Sequence, residues 1–335
     1  MKAIVLHQHG GVEEFKFQEV PTPELGPKDV KVAIKAVSLN FLDILVRRGS
    51  PGLHVEFPHI GGGDMAGEIV ATGNGVSEFY VGQRILVQAI YTQENGRPAL
   101  MGEQGNGGLC EYMVLPKEHI IPIADSLSYE DAACLPVAYG TAWRMLMTRG
   151  KLTKEDSIFI LGAAGGVGTG CLQIAKMVGC KKIFVAAGSQ EKLELLKELG
   201  AHELINYKEE PEFHKAIRSR NDGKPVDVVV NYVGGESWAT SLKCLKNDGR
   251  LLTCGGAAGY WPKTDLRYIF GKELNIIGSD GWTMQDLKDL IKATEEGRIK
   301  PVIDSVMPFS KIAEAHQRIE NREVIGKIVL TPDFD

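Results

Sequence analysis

The sequence predicts an α/β protein of two domains, one β-rich and one doubly wound around a parallel sheet. Three observations predict it. A length of 335 residues, 44% hydrophobic and 24% charged, exceeds one ordinary core and supplies two well. Residues 1–125 run as short alternating or β-branched segments broken by Gly and Pro, the pattern of strands and turns. From about residue 157, continuous apolar runs alternate with helix-period segments, as buried parallel strands and their crossover helices do.

In the β-rich stretch the clearest strands are Lys31–Val37, Gly67–Thr72 and Arg84–Val87. One helix is expected there, Phe41–Arg48, with apolar side chains at 41, 42, 44, 45 and 46. The glycines from Gly61 to Gly67 call for tight backbone turns. In the second half, strands are expected at Ser157–Leu161, Ile183–Ala187, Val226–Val230, Leu251–Cys254 and Leu274–Gly278, with another through Leu204-Ile205-Asn206. Helix Gln190–Leu199 carries Leu193, Leu196 and Leu199 at three-residue spacing and stops at Gly200. The tail returns to helix at Met284–Glu296 and Ser310–Asn321 and closes on Lys327–Leu330. These changes of texture place one domain at 1–125 with 279–335, and the other at 126–278.

Composition narrows the function. The net charge of −5 offers no basic surface for nucleic acid or membrane. The apolar start Met1–Leu6 breaks into polar residues too soon for a signal sequence, and no run approaches the roughly 20 apolar residues of a membrane span. A cytoplasmic protein is expected. Six cysteines lie scattered without a C-x-x-C pair, which disfavours a disulfide framework or a compact zinc site; they read as buried small hydrophobes.

Directly after the first strand of the second domain come Gly162, Ala163, Ala164, Gly165, Gly166, Val167 and Gly168, opening a helical segment that stops at Gly179. Small residues here let the backbone turn sharply and approach a pyrophosphate resting on the helix N-terminus, so a dinucleotide is expected. A domain selective for NAD would place an acid at the end of the second strand, but Ala187 stands there. Ser189 and Lys192 follow, a hydroxyl and a cation suited to a 2′-phosphate, which points to NADP(H). The alternative for Lys192 is an ordinary solvated lysine. Asn231, Val233, Gly255 and Ser279 fall at strand ends on the side where doubly wound folds bind ligand.

Six motifs extend the reading: Ser38-Leu39-Asn40-Phe41-Leu42-Asp43, Gly62-Gly63-Asp64-Met65-Ala66-Gly67, Gly107-Gly108-Leu109-Cys110-Glu111-Tyr112, Ala138-Tyr139-Gly140-Thr141-Ala142-Trp143, the Gly162–Gly168 loop, and Gly326-Lys327-Ile328-Val329-Leu330. In this order, over nearly the whole chain, they resemble the medium-chain dehydrogenase/reductase family. The nearest branch in character is that of the zinc-free quinone oxidoreductases, the zeta-crystallin-like proteins. The resemblance implies a GroES-like catalytic domain built from both chain ends and a central Rossmann domain.

Zinc-dependent members carry a cysteine, a Gly-His-Glu motif and a third ligand. By motif, this chain has Asn40 for the cysteine, Gly63 for the histidine, Asp64 for the glutamate and Val137 at the third position. The segment Arg84–Tyr112, where a structural-zinc lobe belongs, holds only Cys110. No metal is expected at either place.

The resemblance further implies hydride transfer from NADPH to a small conjugated molecule, a quinone or an α,β-unsaturated carbonyl, which needs less help than an alcohol. An alcohol or carbonyl oxidoreductase, or a non-catalytic NADPH-binding protein, are the alternatives. Asn40 and Asp43 become catalytic candidates, with Asn40 also against the nicotinamide; a turn role for Asn40 and pairing of Asp43 with Arg47 are the plainer readings. Thr141 is expected beside the nicotinamide, or as a helix cap, Tyr207 against the 2′-phosphate, and Lys327 at the pyrophosphate. Asp64 is expected to support the site from behind. Tyrosines common in quinone reductases are replaced here by Leu45, Pro51 and Gly52, leaving no obvious proton donor. A homodimer or homotetramer joined through Leu274–Gly278 completes the expectation.

Overall fold

The computed structural model describes residues 1–334. By contact the chain divides into two units: Met1–Val137 with Ile291–Glu295 and the residues from Pro301 on, and Ala138–Leu290 with Glu296–Lys300. The changes of texture at 125 and 279 therefore lie short of both divisions. Helix Tyr129–Ala133 packs on strands Asp29–Ser38 and Asp64–Thr72, which keeps 126–137 with the β-rich unit. Residues 279–290 stay with the second unit, where Trp282 lies against Gly140 and Asp286 pairs with Arg144 at 3.2 Å.

The first unit is built on a seven-stranded sheet. Its path runs Ile303–Pro308, Lys327–Thr331, Asp29–Ser38, Asp64–Thr72, Arg84–Val87 and Ile120–Pro122, with Tyr112–Pro116 also pairing Asp29–Ser38. In Asp29–Ser38, Val30, Val32 and Ile34 face the core alternately. A bulge between Ile34 and Ala36 then breaks the alternation, and Ala36, Val37 and Ser38 are all buried. The closing strand pairs antiparallel with this one, Val329 opposite Ser38 and Leu330 opposite Val37. Segments far apart in sequence thus meet in one sheet, Val329 opposite Ser38.

Helix Phe41–Arg48 forms as expected. Its start is fixed locally: the Asp43 carboxylate accepts the Asn40 backbone N–H at 2.7 Å. Its end is Gly49, at φ +78°, a conformation that glycine adopts freely.

The second unit holds six parallel strands: Ser157–Leu161, Lys182–Ala187, Glu203–Asn206, Val226–Val230, Leu245–Thr253 and Asn275–Gly278. Their spatial order, third-second-first-fourth-fifth-sixth, is that of the doubly wound dinucleotide-binding fold. Ser157–Leu161 is buried throughout, as a strand covered on both faces should be. The fifth strand begins at Leu245 rather than Leu251, because a register shift opposite Val226–Val228 absorbs the polar residues between. Helix Gly166–Val178 ends on left-handed Gly179, and Gln190–Glu198 buries Leu193 and Leu196. The last helix, Ile312–Glu320, starts two residues past Ser310 because a 3-10 turn, Phe309–Lys311, precedes it.

Five cysteines are buried and Cys254 is half-buried. Among the described residues no helix is long and apolar enough to cross a membrane.

Candidate active site

In the first unit, three polar side chains from three motifs converge. The bulged strand ends at Ser38 and delivers Asn40; the neighbouring strand begins at Asp64; the closing strand begins at Lys327. Asn40 Nδ2 donates to Asp64 Oδ2 at 2.8 Å, and the Lys327 ammonium donates to Asp64 Oδ2 at 3.2 Å and to Asn40 Oδ1. Asp64 Oδ1 accepts the Val137 N–H at 2.7 Å. Asp64 and Lys327 are buried, and Asn40 is the half-buried member. Burial pushes the Asp64 carboxyl upward, and the Lys327 charge pulls it back. All of its neighbours donate, which is what an ionised carboxylate requires.

By the motif resemblance, Asn40 and Asp64 stand where zinc-dependent members bind their metal, and here the Lys327 ammonium lies against both. The histidine position is closed as well: a Cβ on Gly63 would lie 2.8 Å from the Met101 carbonyl oxygen, so no side chain fits without moving backbone. Cys134 accepts from Ser38 Oγ at 3.5 Å, and burial pushes its thiol up to about 12, far from a thiolate ligand. Among the described residues no cluster of three His, Cys, Asp or Glu side chains could hold a metal ion.

Two expectations change here. Lys327, expected at a pyrophosphate, is 2% exposed with its ammonium committed to Asn40 and Asp64. Asp43, expected as a catalytic candidate or as the partner of Arg47, instead caps Asn40. It is 8% exposed, and burial pushes its carboxyl up to about 6 against the pull of the Asn40 N–H. Arg47 turns the other way, donating to the Gly10 carbonyl at 2.8 Å and pairing with Glu320.

In the second unit, Gly162 takes φ +70° and starts the glycine turn. A Cβ on Gly168 would lie 2.5 Å from the Ala163 backbone, so the helix packs on its own loop as only glycine allows. No side chain caps this helix at Gly165, which leaves its first amides for a ligand. The cradle from Gly162 to Gly168 therefore fits a pyrophosphate. Sequence reasoning missed Tyr232, whose O–H donates to the Gly162 carbonyl at 2.7 Å. Val233 lies over the same glycine.

The remaining second-unit candidates divide. Asn231 is fully buried and satisfied internally: Oδ1 accepts from Val233 and Gly234 at 3.0 and 2.9 Å, and Nδ2 donates to Ser237 and Ser241. It shapes the turn and has no amide left for a cofactor. Gly255 and Ser279 do come together, in a depression of about 550 Å³ at the ends of the fifth and sixth strands, shared with Arg144 and Arg149. The Ser279 hydroxyl is buried there without a hydrogen-bond partner among the described residues, a group awaiting a ligand. Thr141 is half-buried and not a cap, since Gly140 before it is already helical and closes a π turn at Leu135–Gly140. Pro136 in that turn lacks an N–H, and such turns recur at functional sites.

At the end of the second strand Ala187 is followed by Ser189, the residue before helix Gln190–Glu198, whose hydroxyl makes no cap bond. Lys192 lies in the first turn of that helix. Tyr207 follows the third strand, and its hydroxyl would be 2.5 Å from a Cβ on Gly188. Ser189 and Lys192 thus sit just past the second strand in sequence, and Tyr207 just past the third with its hydroxyl beside Gly188.

A dinucleotide cradle in one unit and a buried polar centre under a half-buried asparagine in the other are the parts of an oxidoreductase that uses a nicotinamide cofactor. Comparison with known proteins agrees. Residues 26–125 match the alcohol dehydrogenase GroES-like domain, and 166–296 match the zinc-binding dehydrogenase domain. The chain is 30% identical to a zinc-type alcohol dehydrogenase-like protein of Schizosaccharomyces pombe, over 99% of each. It is 31% identical to the quinone oxidoreductase of Mus musculus, over 98% of this chain and 97% of that one. A solved structure of an NAD-dependent alcohol dehydrogenase superposes with a TM-score of 0.92 at 34% identity, covering 99% of each chain. The chain belongs to the medium-chain dehydrogenase/reductase family.

Proposed function

We propose that the protein is a zinc-independent, NADPH-dependent reductase of quinones or α,β-unsaturated carbonyls. The observation that carries this is the Lys327 ammonium held on Asp64 and Asn40, together with a Gly63 that has no room for a ligand. A dication brought among these residues would meet a buried positive charge. Without a Lewis acid an alkoxide is poorly stabilised, whereas a conjugated acceptor spreads its charge.

When bound, the dihydronicotinamide supplies the hydride that adds to the acceptor. The chain's own residues position the partners. The Gly162–Gly168 cradle takes the pyrophosphate, Ser279 and Gly255 offer polar groups to the nicotinamide end, and Thr141 borders it. Asn40 presents the exposed edge of the buried polar centre to the substrate, and Asp43 acts as a positioning residue by fixing the Asn40 backbone. The completing proton comes from solvent. A cytoplasmic homodimer or homotetramer belongs to the same reading, supported by Asn275–Gly278 lying at the sheet edge with Ile276 39% exposed.

The cofactor half is tested by fluorescence titration of NADPH and NADH. Wild type should prefer NADPH, and Lys192→Ala should weaken NADPH about 10- to 150-fold with little change for NADH. Equal affinity for both cofactors in wild type would overturn the NADPH assignment.

A further inference from the structure

The end of the second strand holds more positive charge than Lys192 alone. A Cβ on Gly188 would lie 2.5 Å from the Tyr207 hydroxyl and 3.3 Å from Cε of Lys208, so the phenol and the lysine stem close over the same stretch of backbone. The turn after the third strand is held beside the turn after the second, since Ala187 pairs with Asn206 and the Tyr207 N–H donates to the Ala187 carbonyl at 3.2 Å. Lys208 is fixed at its own backbone by a bond from its N–H to Asn206 Oδ1 at 3.1 Å.

The acids nearby in sequence are engaged elsewhere. Glu209 accepts from Asn206 Nδ2 at 2.8 Å, and Glu210 pairs with Arg220 at 2.9 Å. Lys208 is exposed, and among the described residues its ammonium has no ion-pair or hydrogen-bond partner. Ala187, Gly188 and Ser189 bring no carboxylate to the spot. A phosphate monoester carries between one and two negative charges at neutral pH, more than one lysine neutralises.

We infer that Lys208 is a specificity-determining residue that binds the cofactor's 2′-phosphate from the turn after the third strand. Lys192 approaches the same group from the helix, and Gly188 leaves the space into which Tyr207 packs. The inference rests on the NADPH reading and deepens it. NADH offers Lys208 nothing.

The test is calorimetric binding of NADPH, NADH, 2′,5′-ADP and 5′-ADP to wild type, Lys208→Ala and Lys208→Arg, with the remote exposed Lys154→Ala as a control for overall charge. Lys208→Ala should weaken NADPH and 2′,5′-ADP about 10-fold and leave NADH and 5′-ADP within about two-fold. Lys208→Arg should restore most of the loss, and Lys154→Ala should change little. A wild type that prefers NADPH, with a preference untouched by Lys208→Ala, overturns the role of Lys208 and leaves the cofactor reading standing. Equal losses for 2′,5′-ADP and 5′-ADP in Lys208→Ala also overturn it, since the lysine would then act elsewhere. A wild type without preference defeats the cofactor reading itself.

Discussion

The Lys327 ammonium lies 3.2 Å from Asp64 Oδ2, with the two side chains 2% and 0% exposed. An ion pair this deep is costly to break from one side, because the survivor keeps its desolvation penalty and loses its partner. Lys327→Met should therefore destabilise the protein by about 3–5 kcal/mol. Adding Asp64→Asn should recover part of that loss. Denaturant unfolding of both single variants and the double variant gives the coupling directly. A cost below about 1 kcal/mol for Lys327→Met would mean that the pair is not buried as described.

Gly63 makes the second case. Rebuilding the metal-ligand pattern as Asn40→Cys with Gly63→His should not recruit zinc, because the new Cβ at 63 meets the Met101 carbonyl oxygen at 2.8 Å. Overpacking of this kind costs about 1–3 kcal/mol. The expected outcome is a lower unfolding midpoint and no stoichiometric zinc by elemental analysis. One tightly held zinc per chain in the double variant would show that the site is open after all.

A pH effect follows from His316. Its ring is buried beside Arg47, with Nδ1 accepting from Arg47 Nε at 3.4 Å and Nε2 without a partner among the described residues. Burial, with the Arg47 charge acting in the same sense, pushes its pKa down from 6.5 to about 3. Between those values the unfolded chain binds a proton that the folded one does not. The resulting stability is full above pH 6.5 and is lost as pH falls towards 3. From pH 7.5 to 5.5 the loss is about 1.4 kcal/mol. Asp43, pushed up to about 6, acts in the opposite sense between 3.8 and 6, so the comparison must be differential. His316→Asn keeps an acceptor without a titrating group, and its stability should fall less than wild type's by about that amount. Parallel pH profiles would contradict the buried neutral histidine.

What the sequence made legible was local or periodic. The Phe41–Arg48 helix has its start in Asp43, three residues from Asn40, and its stop in Gly49. The glycine cradle is seven consecutive residues placed between a strand and a helix. The doubly wound parallel sheet came with the alternation of strands and helices. What stayed hidden depends on partners far along the chain. Lys327 and Asp64 are 263 residues apart, and a terminal lysine beside a Gly-Lys-Ile motif reads equally well as a phosphate ligand. Asn231 at a strand end looks like a ligand group until Ser237 and Ser241 take its amide. Tyr232 and Lys208 left no signal, because one works through a carbonyl 70 residues earlier and the other through a space opened by a glycine.

The central claim is reduction of a conjugated acceptor by NADPH without zinc, and one assay bears on all of it. Protein treated with a strong chelator and verified free of zinc is given NADPH, and its absorbance is followed with a panel of quinones, enones, simple aldehydes and ketones. NADPH should be consumed with quinones or enones at rates unchanged by the chelator, and simple carbonyls should react far more slowly. Activity confined to simple carbonyls or alcohols, or lost on chelation and restored by zinc, would contradict the account.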